Sequence, residues 1–479
     1  MINEFRKKYN LNQEVVKGLD ALGYKSPMAV QDRVIPHILN GKDLIVKSQT
    51  GSGKTGGFGI PIIEKIVIEK NLPQVLVLTP TRELAVQVCE EMAAIGRYKK
   101  VRCLPVYGKQ PIYIQLRQLK QRVHVIVGTP GRVRDLIRKK HLRVDELKYL
   151  VIDEADELLK RGFIEEVQEI IRKTSSDRST LLFSATMPQE IEEICSKYMV
   201  EPLRIEIEQE KQPIDQIKQV WYEVADDWKF ANLKNIINRD QPDSCIIFCN
   251  TKKKADNLLA KLNKGGYSCT VLHGGLPQRD RLRAINLFKN KEVTYLIATD
   301  LAARGIHIDA LDLVINYNVP IDCENYVHRI GRTGRAGEIG QAITFVSVHE
   351  KKQWNLVQDY IGYKVPLKNM NLDDNSTNKI NNREKKKLTR GKREAQHKDI
   401  TRIRINAGKK KKIRPGDIVG AVCNIKGITS DDIGIIDIQD TCSYIEIFNK
   451  KGNVVMNELS KSKVKGKDVK VKQIKRPRL

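Results

Sequence analysis

The chain has 479 residues and a formal net charge of +27, from 85 Lys and Arg against 58 Asp and Glu, which allows about three domains and favours a polyanionic partner, nucleic acid before membrane. No segment is long and apolar enough to span a bilayer, the start Met1-Ile-Asn-Glu-Phe-Arg-Lys-Lys8 lacks a signal peptide's apolar core, and the nine cysteines never take a zinc ribbon's two-residue gap. The expectation is a cytoplasmic monomer with reduced thiols, no membrane partner and no metal cluster.

The first clear strand is the apolar run Asp43-Leu-Ile-Val-Lys47. It leads into Ser48-Gln-Thr-Gly-Ser-Gly-Lys-Thr55 and a segment rich in Gly and Ile, so strand, phosphate-cradling loop and helix follow one another. Gly51 and Gly53 let successive amides turn inward as an anion nest, Lys54 reaches the outer phosphates, and Thr55 offers its hydroxyl to magnesium. Ser48, Gln49, Thr50 and Ser52 complete this nucleotide loop.

Further on, Gln74-Val-Leu-Val-Leu-Thr79, Val123-His-Val-Ile-Val127 and Leu181-Leu-Phe-Ser184 alternate with charged stretches of helical period, which predicts a parallel sheet. Lys148-Tyr-Leu-Val-Ile-Asp-Glu-Ala-Asp156 reads as another buried strand, ending in carboxylates. Strand alternation would send Asp153 and Glu154 to opposite sides, one to hold magnesium and the other to polarise the attacking water. The chain then turns polar around Pro213, which predicts a hinge over 209–216.

Beyond it the same alternation restarts. Cys245 to Cys249, Thr294 to Ala298, Leu313 to Tyr317 and Ala342 to Ser347 are the expected strands of a second lobe over 217–363. Near its end stands His328-Arg-Ile-Gly-Arg-Thr-Gly-Arg335. On a continuous helix His328, Arg332 and Arg335 share one face, so two guanidinium groups converge on a terminal phosphate. This octet and the nucleotide loop make sense together only if two lobes meet around one nucleotide.

Asn371 to Lys398 is dense in Asn and Lys, which predicts a flexible linker over 364–399. From Asn371 to Leu479 there are 28 Lys and Arg against 13 Asp and Glu, more than half of the chain's basic excess. Within 400–475, Thr401 to Asn406 alternates like a strand, Pro415 opens a helix that Gly427 closes, and strand-like Ile433 to Ile438 and Tyr444 to Phe448 follow. Helix-like Val454 to Leu459 and strand-like Val469 to Ile474 complete a βαββαβ plan, the order of an RNA-recognition motif. Period two puts Arg402 and Arg404 on one sheet face, with Tyr444 and Phe448 expected to join it. An aromatic-rich RNP sequence is absent, so Lys409, Lys410, Lys411, Lys412 and Arg414, just before a helix N-terminus, are the expected contacts to RNA backbone.

Asp153-Glu154-Ala155-Asp156 resembles the signature of the DEAD-box RNA helicases, and further elements occur in that family's order. Gly23-Tyr-Lys-Ser-Pro-Met-Ala-Val-Gln31 resembles the adenine-reading Q motif, which implies adenine-side roles for Tyr24 and Gln31. Pro80-Thr-Arg-Glu-Leu-Ala85 and Thr129-Pro-Gly-Arg132 resemble strand-binding segments, and Ser184-Ala-Thr186 the coupling motif. Thr299-Asp-Leu-Ala-Ala-Arg-Gly305 and the octet ending at Arg335 complete the set, over about residues 1–365.

The resemblance implies an α/β fold of two tandem RecA-like parallel-sheet domains, over 1–208 and 217–363, to which the βαββαβ pattern of the tail adds a small α+β RRM-like C-terminal domain. It implies an RNA-stimulated ATPase and RNA helicase using ATP and Mg2+, with Arg332 and Arg335 as arginine fingers and His328, Ser184 and Thr186 in the catalytic machinery. RNA contacts carried over are Thr81, Arg82, Gly108, Thr129, Gly131, Arg132, Thr251, Gln278, Arg281 and Thr299. Departures also stand out. Phe5 is the nearest match to the family's adenine-packing aromatic, with Tyr9 its rival. Gly108-Lys109 replaces a double glycine, and His307, two residues after Gly305, replaces an aspartate that accepts a bond from the ATP ribose; neutral imidazole still accepts one, protonated imidazole none.

Core and tail together resemble the DbpA-like bacterial members, whose tail recognises a hairpin of 23S rRNA. That implies a 23S rRNA hairpin and pre-50S particles as partners, and local opening of short duplexes during assembly of the large subunit. The alternatives with the same core are a general RNA remodeller in cold response or mRNA decay, and an ATP-gated RNA clamp or annealing factor.

Overall fold

The computed structural model describes residues 4–48, 52–207, 217–303, 311–334, 340–368 and 400–474. The expected hinge, most of the expected linker, and Gln49, Thr50, Gly51, Gly305, His307 and Arg335 lie outside the described residues.

The first lobe is a parallel sheet of β1 (Leu44–Lys47), β2 (Val75–Leu78), β3 (Cys103–Val106), β4 (Val125–Gly128), β5 (Tyr149–Ile152), β6 (Ser179–Ser184) and β7 (Leu203–Glu206). Their spatial order is β3-β4-β2-β5-β6-β1-β7, with every neighbouring pair parallel. Helices cover both faces, so the central strands are apolar at successive positions rather than at alternate ones. In β2, Val75 and Val77 join Phe58 and Met92 in one core, while Leu76 and Leu78 join Leu136 and Ile170 in the other. Period two thus divides one strand between two cores.

The second lobe repeats this plan with β8 (Ile217–Glu223), β9 (Cys245–Phe248), β10 (Cys269–Leu272), β11 (Tyr295–Ala298), β12 (Leu313–Asn316) and β13 (Gly340–Val346). The order is β10-β11-β9-β12-β13-β8, again all parallel. Ile246 and Phe248 pack towards Trp354, and Ile247 towards Leu258. The expected pair of RecA-like parallel-sheet domains is present.

The C-terminal domain is an antiparallel sheet of β14 (Thr401–Ile405), β15 (Ile433–Ile438), β16 (Ser443–Ile447) and, after a two-residue hairpin pair β17 (Lys463–Val464) and β18 (Lys467–Asp468), β19 (Val471–Gln473). The order is β15-β16-β14-β19. Helices Pro415–Cys423 and Gly452–Lys461 cover the face formed by Ile403, Ile405, Ile445 and Ile447.

Two expectations for this domain need correction. The helix opened by Pro415 stops at Cys423 rather than near Gly427, because Ile425 and Ile428 turn back onto the carbonyls of Val422 and Ile425 at 3.1 Å each. Phe448 does not join an open sheet face: it lies just past β16, is 3 % exposed, and packs on Tyr98 of the first lobe with ring centroids 5.2 Å apart. Among the described residues no helix is long and apolar enough to cross a membrane.

Candidate nucleotide and RNA site

Functional side chains in a parallel sheet gather where strands end at their carboxyl edge. At that edge β1 and β6 are neighbours, and the Ser48 amide donates to the Ser184 carbonyl at 2.9 Å, fastening the nucleotide loop to the coupling motif. The Ser48 hydroxyl is buried without a hydrogen-bond partner among the described residues. Gly53 caps the helix Lys54–Lys65 at φ +86°, and a Cβ there would come within 2.6 Å of Met28 Sδ and 2.9 Å of Gln31 Nε2. Only glycine fits that turn. Lys54 is buried and its Nζ donates to the Ser48 carbonyl at 3.3 Å, while Thr55 is buried beside it and Ser52 is half-buried.

Gln31 is fully buried, donating to the Gly53 carbonyl at 3.2 Å and accepting from the Met28 amide at 3.0 Å. The Q motif thus braces the loop directly. Tyr24 stands over the same helix start, 3.2 Å from where a Cβ on Gly56 would lie, and its hydroxyl donates to Glu91 at 2.8 Å. Phe5 departs from expectation. It is fully enclosed, with Tyr9 and Tyr24 each at 6.1 Å, so its ring offers no open face to an adenine and belongs to the core. Tyr9 is half-buried, its hydroxyl held by Asp32.

Asp153 and Glu154 correct a second expectation. β5 ends at Ile152, so strand alternation does not reach the carboxylates. Glu154 takes φ +50°, a left-handed conformation costly for a bulky side chain, and its carbonyl is fixed by the amides of Glu157 and Leu158 at 3.0 Å. Its amide in turn donates to Asp153 Oδ1 at 3.0 Å.

Both carboxyls are buried. Burial pushes Asp153 above the usual carboxylate range against the pull of Lys54. Burial and the neighbouring Asp153 charge push Glu154 up to about 7, with Lys54 and, from the second lobe, Arg332 opposing. Two desolvated carboxyls, with Thr55 buried at the start of the helix after the nucleotide loop, are hard oxygen donors of the kind a divalent cation takes. Ser184 and Thr186 tie into this cluster. The Ser184 hydroxyl donates to the Thr186 carbonyl at 2.6 Å and accepts from the Asp156 amide at 3.2 Å, and the Thr186 hydroxyl reaches Asp156 Oδ2 at 3.2 Å.

In the second lobe the helix Cys323–Ile330 is shorter than the octet requires. The Gly331 amide closes it on the Val327 carbonyl at 2.9 Å, and Gly334 takes φ +68°. His328, 44 % exposed beside Glu324, therefore does not share a continuous helical face with Arg332, which is buried in the turn beyond. Sequence reasoning passed over Arg329. Its guanidinium, 1 % exposed, bonds Asp300 at 2.5 and 2.6 Å, Asn250 at 2.9 Å and the Asn318 carbonyl at 2.8 Å, and lies over Phe248. It locks the segment after Thr299 to the helix that precedes Arg332. The available signal was its place between core residues Tyr326 and Ile330, on the inward face.

The expected RNA residues occupy helix starts and loops. Thr81 and Thr251 cap the helices Arg82–Ile95 and Lys252–Lys264 by accepting from the Leu84 and Lys254 amides at 3.1 and 3.2 Å. Thr129 precedes the helix Pro130–Arg138; Gly131 within it faces open space, and Arg132 braces Gln110 and Gln115 at 3.2 and 3.1 Å. Gly108 lies against Arg82, 3.7 Å separating its would-be Cβ from the guanidinium, and Thr299 directly follows β11 with its carbonyl accepting from Ala302 and Ala303.

Across the lobes, Arg82 donates to Gln278 Oε1 at 3.3 Å, and Glu83 receives Gln278 Nε2 at 2.9 Å and faces Arg281 Nε at 3.1 Å. Glu83 is a second residue that sequence reasoning missed. In the tail, Arg402 lies 5.2 Å from the Tyr444 ring, Arg404 is half-buried, and Lys409, Lys410, Lys412 and Arg414 are exposed around the short turn Lys409–Lys411.

Comparison with known proteins places this arrangement. Residues 28–194 match the model of the DEAD/DEAH box helicase family, 228–337 that of the helicase conserved C-terminal domain, and 402–473 that of the DbpA RNA binding domain. The chain is 46 % identical over 472 residues to the ATP-dependent RNA helicase DbpA of Bacillus subtilis, covering 97 % of this chain and 98 % of that one. It is 44 % identical to the DEAD-box ATP-dependent RNA helicase CshA of Geobacillus kaustophilus, covering 74 % of this chain and 75 % of that one. Among solved structures, S. cerevisiae Dbp5 bound to RNA and ADP BeF3 superposes with a TM-score of 0.66 at 31 % identity, over 76 % of this chain and 95 % of that one.

Proposed function

Because the chain belongs to the DEAD-box ATP-dependent RNA helicases of the DbpA type, and so is an RNA-stimulated ATPase, we propose that its tail anchors it on a hairpin of 23S rRNA while the core opens a short neighbouring duplex during large-subunit assembly. The observation that carries this reading is the tail: the likeness to a DbpA runs through the DbpA RNA binding domain over 402–473 instead of ending with the core. Its exposed Lys409, Lys410 and Lys412 supply the counter-charge that RNA backbone needs. Tethering then raises the local concentration of duplex at the core.

In the core, Lys54 and the amides that follow Gly53 hold the outer phosphates of ATP, and Gln31 keeps that loop in place. Thr55 and Asp153 would hold Mg2+, which when bound offsets phosphate charge. Glu154 takes a proton from the attacking water, a task suited to a carboxyl near neutrality. Arg332 brings positive charge from the second lobe, so hydrolysis requires closure. Arg329 is a positioning residue that fixes the turn bearing Arg332 against Asp300. Thr81, Arg82, Arg132, Gln278, Arg281 and Thr299 hold RNA by backbone and shape across both lobes. Since RNA and ATP both favour closure, each tightens binding of the other by the same factor.

The test is ATPase stimulation by a 23S rRNA hairpin fragment against a scrambled RNA of equal composition, for the full chain and a variant with Lys409, Lys410, Lys411 and Lys412 changed to Ala. Strong preference for the hairpin, lost in the variant, supports the ribosomal reading. Equal response to both RNAs by the unaltered chain removes it and leaves a general RNA remodeller.

A further inference from the structure

The tail does not merely trail behind the core. Between Lys368 and Ile400 lie 31 residues, a tether that drawn out would span about 100 Å, so its length alone does not decide which surface the tail meets. The contacts do. On the first lobe the loop between the helix Arg82–Ile95 and β3 presents Arg97, Tyr98, Lys100 and Arg102, and Gln121 lies beside them. Against them stand the outer face of β15 and β16 and the turn on either side.

Arg97 Nη2 lies 3.1 Å from Glu446 Oε1, with both side chains largely withdrawn from water, at 9 and 14 % exposure. Gln121 donates to Asp437 Oδ1 at 2.6 Å, Arg102 to the Ile436 carbonyl, and Lys100 to the Ser430 carbonyl at 3.2 Å. Tyr98 meets Phe448 at 5.2 Å. A strongly basic tail thus turns two carboxylates and one aromatic ring towards three basic side chains of the lobe. The exposed lysines of its Lys409–Lys412 turn take no part in these contacts.

We propose that the β15–β16 face of the tail is a docking surface for the first lobe, not a platform for stacking bases, and that it holds the tail at one fixed place beside the lobe that carries the nucleotide loop. Register supports this. Glu446 and Tyr444 stand opposite Arg402 and Arg404 across β14 and β16, so they share the sheet face that leaves Ile403, Ile405, Ile445 and Ile447 to the core. Glu446, together with Asp437 opposite Tyr444, places acid on the part of that face where RNA phosphates would be repelled and the arginines of the lobe attracted. Because tail and lobe belong to one chain, their docking is an intramolecular event, so this modest patch suffices where it would fail between separate molecules. The docking stands apart from the identity of the anchored RNA.

The experiment uses the full chain with a photo-crosslinking benzoylphenylalanine in place of Tyr98. Irradiation should join it to the segment around Glu446 to Phe448, identified by peptide mass spectrometry. Arg97→Glu and Glu446→Arg should each lower that yield at least fivefold, with basal ATPase unchanged, and the double exchange should restore it, which separates charge pairing from misfolding. Absence of the tail crosslink in the parent, single reversals that crosslink as well as the parent, or a double exchange no better than the singles would each overturn the proposal.

Discussion

Glu83 of the first lobe accepts the Gln278 amide of the second at 2.9 Å, and the same oxygen faces Arg281 Nε at 3.1 Å. At the face expected to hold RNA, the two lobes are thus fastened to each other across the seam. Glu83 is buried, so its removal leaves a guanidinium and an amide without their partner at the seam. A hydrogen bond to a charged group contributes about 1.5–3 kcal/mol, so Glu83→Ala should raise the RNA concentration that half-saturates ATPase roughly tenfold or more. Glu83→Gln, which keeps an acceptor, should recover part of the loss in the same titration.

Glu154 sets a pH signature. Its folded-state pKa is raised from 4.5 to about 7, so the folded chain binds that proton more tightly than the unfolded one. The stability this confers is complete below pH 4.5 and lost as pH rises through 7. That is on the order of 3 kcal/mol, so without nucleotide Glu154→Gln should melt several degrees above the parent at pH 8 and level with it near pH 4.5. Thermal melts at the two pH values check this.

Asp432 in the tail runs the opposite way. Burial alone would raise its pKa, but the Lys451 ammonium, the Asn449 amide and the Thr429 amide and hydroxyl outweigh it and bring the group from 3.8 to about 2. Its stabilisation, about 2 kcal/mol, is present above pH 3.8 and lost as pH falls towards 2. Asp432→Asn should reduce hydrogen-exchange protection of β16 by that amount at pH 7, with the difference from the parent shrinking below pH 3.8.

At Gly53, φ +86° and the crowding by Met28 and Gln31 act together. Gly53→Ala should weaken ATP binding at least tenfold, measured with a fluorescent nucleotide, while the melting temperature moves little, because the strain falls on a loop outside both cores.

Much of the fold was legible in the sequence because parallel strands buried on both sides leave uninterrupted apolar runs, as in Val75–Leu78 and Cys245–Phe248, and because the motifs mark where those strands end. What escaped was set by groups distant in sequence. Phe5 reads as an available ring until Tyr9 and Tyr24 enclose it, and Phe448 reads as a face residue until Tyr98 of another domain covers it. Periodicity misplaced Glu154 and Arg332, since each lies two residues past the end of its strand or helix, where a left-handed turn or a glycine resets direction. Arg329 and Glu83 went unselected because a buried charge becomes intelligible only once its partners, Asp300 for one and Arg281 for the other, are in place.

The most direct measurement of a nucleotide site shared by two lobes is RNA-stimulated turnover of Arg332→Ala beside its ATP affinity. With Arg332 supplying charge to a site built on the first lobe, kcat should fall about 10³-fold or more while the ATP Kd stays within a few-fold of the parent. Unchanged kcat would contradict the account, for the second lobe would then contribute no group to hydrolysis.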